Sequence, residues 1–475
     1  MDNKGKLQLI IVFSLLLRVI LAFHTRGIAR GDEHEYLSMA NQLTGGRIDY
    51  LLGFRSYAYP LIVAVPFALS KILGVISPDM IITAARLLNV VASTFLVYIT
   101  YLLGRRLYDE NVGLLAAFFV GFSWFITAWT LRVMTEALAS TFILFSFYLI
   151  LEEKELRSGL LIGAATMLHM KYAIFIIPLL AFLTVKRRHA LKSFAVGWLM
   201  LFLVQGFVDY LTYGEWFHSV IEYFFRTQIL EYARLIIESG GISGVYALHE
   251  SLYPGHGTSP LYQYMGIIPT IIALPLILFV VLTLKTESKT LLASTIAFVL
   301  LVLSFMPHKE DRLLFPIVPL LYILAAFGFF WIYKRVENSK ACKAILVFSI
   351  IAVFSSNMFM LQYLPYRAHY NEAEAMRWIG RQENAVGVFS YYHPPNSGGY
   401  MYIQKNIPVY YSEFKNISEV GSEINYVVIP DYQADDLLSI IYENFRAVKT
   451  FETDYPNEIL METAEQDILV YERIV

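Results

Sequence analysis

The sequence predicts a mainly α-helical, polytopic membrane protein, with about eleven transmembrane helices and a small extracytoplasmic α/β domain at the C-terminal end. Three observations predict it. The 475 residues are 57% hydrophobic and only 16% charged, with a mean hydropathy of +0.53. A soluble chain cannot hide that much apolar surface, whereas a bilayer can. Apolar runs of spanning length recur along residues 1–364. From residue 365 that pattern stops, and short alternating runs typical of strands replace it.

The runs lie near 7–24, 83–104, 113–130, 134–151, 190–211, 262–284, 290–306, 313–333 and 341–363. Each approaches the roughly 20 residues that cover a bilayer core. The first has no small-residue cleavage site behind it and reads as a retained helix. Residues 57–76 carry Tyr57, Tyr59, Pro60, Pro66 and Lys71, which suits a helix on or dipping into the outer leaflet. Residues 159–185 are interrupted by His169, Met170 and Lys171. Two full spans need about 40 residues, so this stretch reads as a short helical hairpin with Lys171 at its tip.

Basic residues set the orientation. Lys4 and Lys6; Arg105 and Arg106; Lys186, Arg187, Arg188 and Lys192; Lys285 and Lys289; and Lys334, Arg335, Lys340 and Lys343 occupy short loops. All fall on one face if 57–76 does not cross, and the positive-inside rule makes that face cytoplasmic. The N-terminus is then inside and the C-terminus outside. The membrane is the plasma membrane in a prokaryote and the endoplasmic reticulum in a eukaryote. Segments 25–82, 212–261 and 365–475 face outward. In the last, Ala385–Ser390, Tyr426–Pro430 and Asp467–Glu472 read as strands, and 371–382 and 434–445 as helices.

Several function classes lose support. A net charge of −2 gives no reason to expect nucleic-acid binding. The single cysteine, Cys342, excludes an intrachain disulfide. No Walker loop, GxGxxG or GxSxG is present, so nucleotide and serine hydrolysis have no motif. His24, His249 and His256 lack metal-ligand spacing. A lipid or solute transporter, or a flippase, is the alternative of another class. Transporters favour repeated halves and a site at mid-bilayer, whereas here the charges cluster at one face and no repeat is visible.

Two clusters carry chemistry. The first outer loop reads Arg30-Gly31-Asp32-Glu33-His34-Glu35-Tyr36, followed by an apolar-periodic stretch. Asp32 and Glu33 open a helix there, where its positive end stabilises carboxylates; the plain alternative is a capping pair on an interfacial helix. The second cluster, Pro307-His308-Lys309-Glu310-Asp311-Arg312, joins two apolar runs with almost no loop. Charges pressed to a membrane edge usually serve a site. Lys309 and Arg312 suit a phosphate, Arg312 by its bidentate fork. The plain alternative is a charged turn paired within itself. Arg55, Arg86, Arg132, Glu136, His169, Lys171, Asp209, His218, Glu222 and Arg226 line the same outer edge, and each alone suits a snorkelling or paired residue. Arg18, inside the first span, reads as snorkelling or as a partner for an acid such as Asp32.

These residues resemble the GT-C fold of polyprenyl-phosphate-sugar glycosyltransferases, and in finer pattern glycosyltransferase family 22, the dolichyl-phosphate-mannose α-mannosyltransferases. Gly31-Asp32-Glu33-His34-Glu35 looks like the family's first-loop acidic motif, and Phe54-Arg55-Ser56-Tyr57-Ala58-Tyr59-Pro60 like its RSYxYP-type segment. Asp209-Tyr210-Leu211-Thr212-Tyr213-Gly214-Glu215-Trp216 and Gly257-Thr258-Ser259-Pro260-Leu261-Tyr262-Gln263-Tyr264 resemble two further segments. His308-Lys309-Glu310-Asp311-Arg312, with Phe315-Pro316 and Pro319, resembles the HKExRFxxPxxP hallmark, Leu313 replacing the usual Phe. Two departures stand out. Arg30-Gly31 replaces a common His-Pro, and Glu136 stands where many relatives carry an amide.

The resemblance implies an inverting transfer of a sugar, mannose being the expected one, from a polyprenyl- or dolichyl-phosphate donor to a glycan or lipid-linked acceptor on the outer face. Asp32 is the implied base, with Glu33 or Glu35 orienting it or binding acceptor hydroxyls. His308, Lys309 and Arg312 hold the donor phosphate. Glu35, Arg55, Arg132, Glu136, Lys171, Asp209, Tyr262 and Tyr264 are candidate donor or acceptor contacts. The lipid tail is expected in a groove near 57–76. No cofactor is required, although a divalent metal has room near Asp32 and Glu136. A protein O-mannosyltransferase or an aminoarabinose-type lipid transferase of the same fold is the runner-up.

Overall fold

The computed structural model describes residues 2–28, 31–48, 53–75, 77–226, 262–283, 290–306, 309–336, 339–364, 366, 370–391, 398–412, 417–420, 422–430, 444–451 and 468–474. His308, Arg30, residues 257–261 and most of the expected helix 434–445 lie outside them.

Apolar helices dominate. Among the described residues five are long and apolar enough to cross a membrane. They are α1 (Asn3–His24), α4 (Pro78–Leu107), α10 (Leu191–Tyr213, extended at its start by a 3-10 turn), α15 (Val318–Arg335) and α16 (Lys340–Leu361). Their outward faces are apolar and bare, as lipid-facing surfaces are: Leu9, Phe13, Leu16, Ile20 and Phe23 form such a stripe on α1. The chain is a multi-pass membrane protein.

Two expected spans are broken. Run 113–130 divides into α5 (Glu110–Phe122) and α6 (Trp124–Thr130), bent by 54°. A break inside a membrane frees backbone groups that need partners. Arg18 Nη2 donates to Val120 O at 2.8 Å, Asn357 Oδ1 accepts from Trp124 N at 2.9 Å, and Ser123 Oγ accepts from Ile126 N at 3.3 Å. Arg18 is therefore fully buried and serves this break. It neither snorkels nor pairs with Asp32, which corrects both expectations. Run 262–284 divides into α12 (Gln263–Ile272) and α13 (Leu274–Thr283), bent by 108° at Ala273, whose φ of 63° no helix continues.

Shorter apolar helices fill the interior. α3 (Ala58–Ile72) has 15 residues, too few to span, and bares Leu61, Val65, Leu69 and Ile72 on one side. α7 (Glu136–Leu151), α8 (Glu155–Leu168), a 3-10 turn (Met170–Phe175) and α9 (Ile176–Lys186) follow, with Lys171 in the turn as expected. α8 packs against α10 through glycines. A Cβ on Gly159 would meet Phe194 O at 2.1 Å, and one on Gly197 would meet Leu156 O at 2.2 Å. Small residues allow this close approach in a membrane. α11 (His218–Arg226) follows α10, and α14 (Thr290–Phe305) precedes α15.

After α16 and α17 (Tyr370–Gly380) comes a five-stranded sheet in the order β2-β1-β3-β5-β4. β1 (Val388–Ser390) pairs parallel with β2 (Val409–Tyr411) and β3 (Tyr426–Pro430); β5 (Ile468–Arg473) runs antiparallel to β3 and to β4 (Phe445–Phe451). This unit meets the helical part through polar contacts. Arg377 Nη2 lies 2.6 Å from Asp79 Oδ2, and Tyr402 OH donates to Asp79 Oδ1 at 3.0 Å.

Candidate active site

The first acidic cluster lies on α2 (Gly31–Leu43), with Asp32 and Glu33 in its first turn. Against the plain alternative of an interfacial capping helix, α2 is buried from Glu33 to Ala40. Its acids are enclosed, and each has a basic partner. Glu35 Oε2 is 2.5 Å from Arg55 Nε, and Asp32 Oδ1 pairs with Arg55 Nη2. Glu33 points elsewhere. It accepts from Val133 N at 3.0 Å, and Arg86 and Arg132 stand 3.6 and 3.9 Å away. Arg86 also donates to Thr25 O (2.7 Å) and Gly27 O (2.5 Å), tying the end of α1 to α4. Glu33, expected beside the chemistry, thus anchors α2, and Arg132 belongs to that anchor.

The second cluster closes on the first. A 3-10 turn (Asp311–Leu314) carries Arg312, whose Nη1 is 2.5 Å from Asp32 Oδ2 and whose Nε pairs with Glu310. Asp32 is thereby shared between two guanidiniums from distant parts of the chain. Burial pushes its carboxyl up, but Arg312, Arg55 and Lys171 outweigh burial and hold it below the usual carboxylate range. Tyr264, buried, donates to Glu310 O at 3.2 Å and steadies the turn. Lys309 Nζ donates to Met306 O at 2.7 Å.

The third contribution comes from the turn after α8. Lys171 Nζ lies 2.7 Å from Glu136 Oε1 at the start of α7. The acid that replaces the family's amide is thus met by a cation. Glu136 Oε2 is buried and has no hydrogen-bond partner among the described residues. His169, left out of the expected site, stands 3.2 Å by Nε2 from Arg55 Nη1. Its sequence signals were its place on the outer edge and two residues before Lys171.

Two expected contacts are not brought in. Tyr262 is exposed. Asp209 accepts from Ser219 N and Oγ and from Gln205 Nε2 at 2.7–3.0 Å, and Gln205 Oε1 accepts from Ser56 Oγ at 2.9 Å. It supports the segment that presents Arg55 and does not face Asp32. Asp32 and Glu136, the acids named for a metal, are both engaged by cations. Apart from the cluster, α9 and α14 border a cavity of about 750 Å³ lined by Ile177, Phe182, Leu291, Phe298 and Lys186 among others. None of the residues lining it belongs to 57–76, where the groove was expected.

The arrangement is a carboxylate held by two arginines, a lysine–glutamate pair and an imidazole beside one of those arginines. Residues 9–227 and 245–395 match the Alg9-like mannosyltransferase family. The chain belongs to that family. It is a glycosyltransferase with the GT-C fold. It is 22% identical to Mannosyltransferase APTG1 of Arabidopsis thaliana over 462 residues, covering 88% of this chain and 79% of that one. Its fold matches ArnT from Cupriavidus metallidurans with a TM-score of 0.63 at 10% identity, covering 99% and 98% of the two chains. The same enzyme bound to undecaprenyl phosphate gives 0.61 at 10% identity, again covering 99% and 98%. An oligosaccharyltransferase from Archaeoglobus fulgidus gives 0.59 at 11% identity, covering 91% and 69%.

Proposed function

We propose that the chain transfers mannose, with inversion, from a polyprenyl- or dolichyl-phosphate donor to a glycan or lipid-linked acceptor at the outer membrane face. The observation that carries the reading is the Asp32 carboxylate shared by Arg55 and Arg312. A single displacement needs a base on the acceptor hydroxyl and positive charge on the departing phosphate. Here base and cation already touch. Asp32 removes the acceptor proton as the hydroxyl oxygen attacks the anomeric carbon. The bond to the phosphate breaks, and the phosphate leaves with its electron pair.

In the absence of donor, Arg312 is spent on Asp32 and weakens it as a base. A donor phosphate competes for Arg312, and as Arg312 moves toward the phosphate Asp32 regains basicity. Lys309 and His308 complete the phosphate's surroundings in this reading. Glu136 Oε2 accepts a sugar hydroxyl. The cavity bordered by α9 and α14 takes the lipid tail, a role suited to its apolar lining. Undecaprenyl phosphate is bound by the fold relative ArnT, which supports a lipid phosphate as the leaving group. No nucleotide or other cofactor is needed, because the donor already carries an activated phosphate.

The sidedness follows the basic loops: about eleven crossings, N-terminus inside, C-terminal domain outside. The test uses purified protein, synthetic polyprenyl-phosphate mannose and extracted lipid-linked glycans, with products read by mass spectrometry. A gain of one hexose with release of polyprenyl phosphate is expected. Transfer only to a peptide hydroxyl, or only of an aminopentose to a lipid, moves the assignment to the runner-up activities.

A further inference from the structure

Arg55 grips Asp32 and Glu35 from residues 53–57, which belong to no helix or strand. A guanidinium on such a segment is only as well aimed as its backbone is held. The corner between α10 and α11 holds it. Gly214, at φ 82°, ends α10 in the left-handed conformation that glycine adopts without strain. Phe217 follows at φ 58°, where a bulky residue stays only if its surroundings impose it. Its ring stacks on Phe202 at 4.8 Å, and it lies where a Cβ on Gly206 would meet it at 2.6 Å. The chain thus doubles back, and the His218 ring stacks on Tyr213 at 4.3 Å.

Two donors of this corner reach the backbone around Arg55. Tyr213 OH donates to Arg55 O at 2.7 Å, and His218 Nε2 donates to Gly53 O at 3.0 Å. His218 Nδ1 lies 2.9 Å from Glu215 Oε2. Both partners of the ring only accept, so both of its nitrogens donate. Ser56 Oγ is tied to the same helix, donating to Gln205 Oε1 at 2.9 Å. We propose that Tyr213 and His218 are positioning residues that aim Arg55 at Asp32. The inference rests on the reading of Asp32 as the base and extends it. Asp32 faces Arg312, Arg55 and Lys171, which are themselves paired with Glu310, Glu35 and Glu136. When Arg55 drifts, one of the three cations weakens and burial raises the carboxyl. A loss at the corner is therefore read out at Asp32.

The pH profile of kcat/KM tests it, with purified full-length protein, synthetic polyprenyl-phosphate mannose and extracted lipid-linked glycans. Tyr213→Phe keeps the stacked ring and removes only the donor. His218→Gln keeps an N–H for Gly53 O, and His218→Leu keeps none. One hydrogen bond of ordinary worth corresponds to about three- to tenfold. By about that factor kcat/KM should fall in Tyr213→Phe and in His218→Leu, with the acid limb moved to higher pH in both. His218→Gln should restore most of the second loss. A role in folding alone lowers yield and thermal stability but leaves the acid limb of the folded enzyme at its wild-type position. That outcome overturns the proposal, as does unchanged kcat/KM in Tyr213→Phe and His218→Leu. Arg55→Gln separates the two readings. An acid limb that moves in Arg55→Gln but in neither corner variant overturns the positioning role alone. A limb unmoved in Arg55→Gln as well overturns Asp32 as the base, and the positioning role with it.

Discussion

Asp32→Asn should move two measured quantities in opposite directions. Asn keeps the shape and cannot usefully take a proton, so sugar transfer should slow by about 10²–10⁴-fold, the usual contribution of a general base. Donor affinity should improve. Arg312 Nη1 stands 2.5 Å from Asp32 Oδ2, with the two side chains only 10% and 21% exposed. Charge centres about 4 Å apart attract by about 4 kcal/mol at an effective dielectric of about 20. Most of this returns when the guanidinium moves to phosphate. If about a third opposes binding, removing the Asp32 charge tightens phosphate affinity about tenfold. The assay is kcat with radiolabelled short-chain donor, beside the Kd of polyprenyl phosphate by competition. If Asp32 were only a cap, Asn would serve equally well and neither quantity would move. If it were only a counter-ion, affinity would rise in the same way but kcat at saturating donor would stay within a few-fold of wild type. Either outcome refutes the reasoning.

Arg312→Gln should raise the acid limb of residual kcat/KM, because the cation that holds Asp32 low is gone while burial still pushes it up. The sign follows from linkage. The carboxyl's pKa is lowered by folding, so its ionised form contributes stability above the unfolded value, lost as pH falls through the folded one. An acid limb unmoved in a pH-rate profile removes Arg312 from control of Asp32. Glu33→Gln should lower thermal stability in detergent, by about 3–5 kcal/mol if it leaves Arg86 and Arg132 uncompensated; normal stability with selectively lost turnover would put Glu33 in the chemistry. Gly159→Val should abolish correctly packed protein, since its Cβ would strike Phe194 O at 2.1 Å; a monodisperse elution profile at wild-type yield contradicts that packing.

Hydropathy located the membrane helices because lipid contact is a bulk property that every residue of a stripe reports. It could not see the breaks at Ser123 and Ala273, since both sides of each are apolar. The first break is held by Arg18 and Asn357, which lie far away in sequence. Asp32 and Arg312 were legible because charge at a membrane edge is costly without a purpose. His169 was less legible, because its contact with Arg55 joins residues far apart in sequence. Strands β1, β3 and β5 were readable as short apolar runs, and β1 and β3 are buried throughout. β4 bares Arg446, Ala447, Lys449 and Thr450 on an edge, where charge discourages pairing with another chain and disguises the strand. β2 spans only three residues.

The division of labour among the three acids follows from the helix that carries them. Successive residues turn by about 100°, so positions three apart share a face and adjacent positions do not. Asp32 and Glu35 are three apart, and one guanidinium, Arg55, grips both through Nη2 and Nε. Glu33 is turned away from both and meets Arg86, Arg132 and the backbone of Val133. Rotating α2 by one residue would exchange anchor and base, bringing a buried acid to Arg312 and leaving Arg86 opposite Asp32. The anchor resists that rotation. Arg86 is fixed by two carbonyls at the end of α1, and the 132–134 segment by Asn89, whose Nδ2 donates to Arg132 O and Met134 O. The base is thus aimed by groups on the far side of its own helix. A loss at Glu33 should therefore lower stability and misdirect Asp32 together, because one anchor serves both.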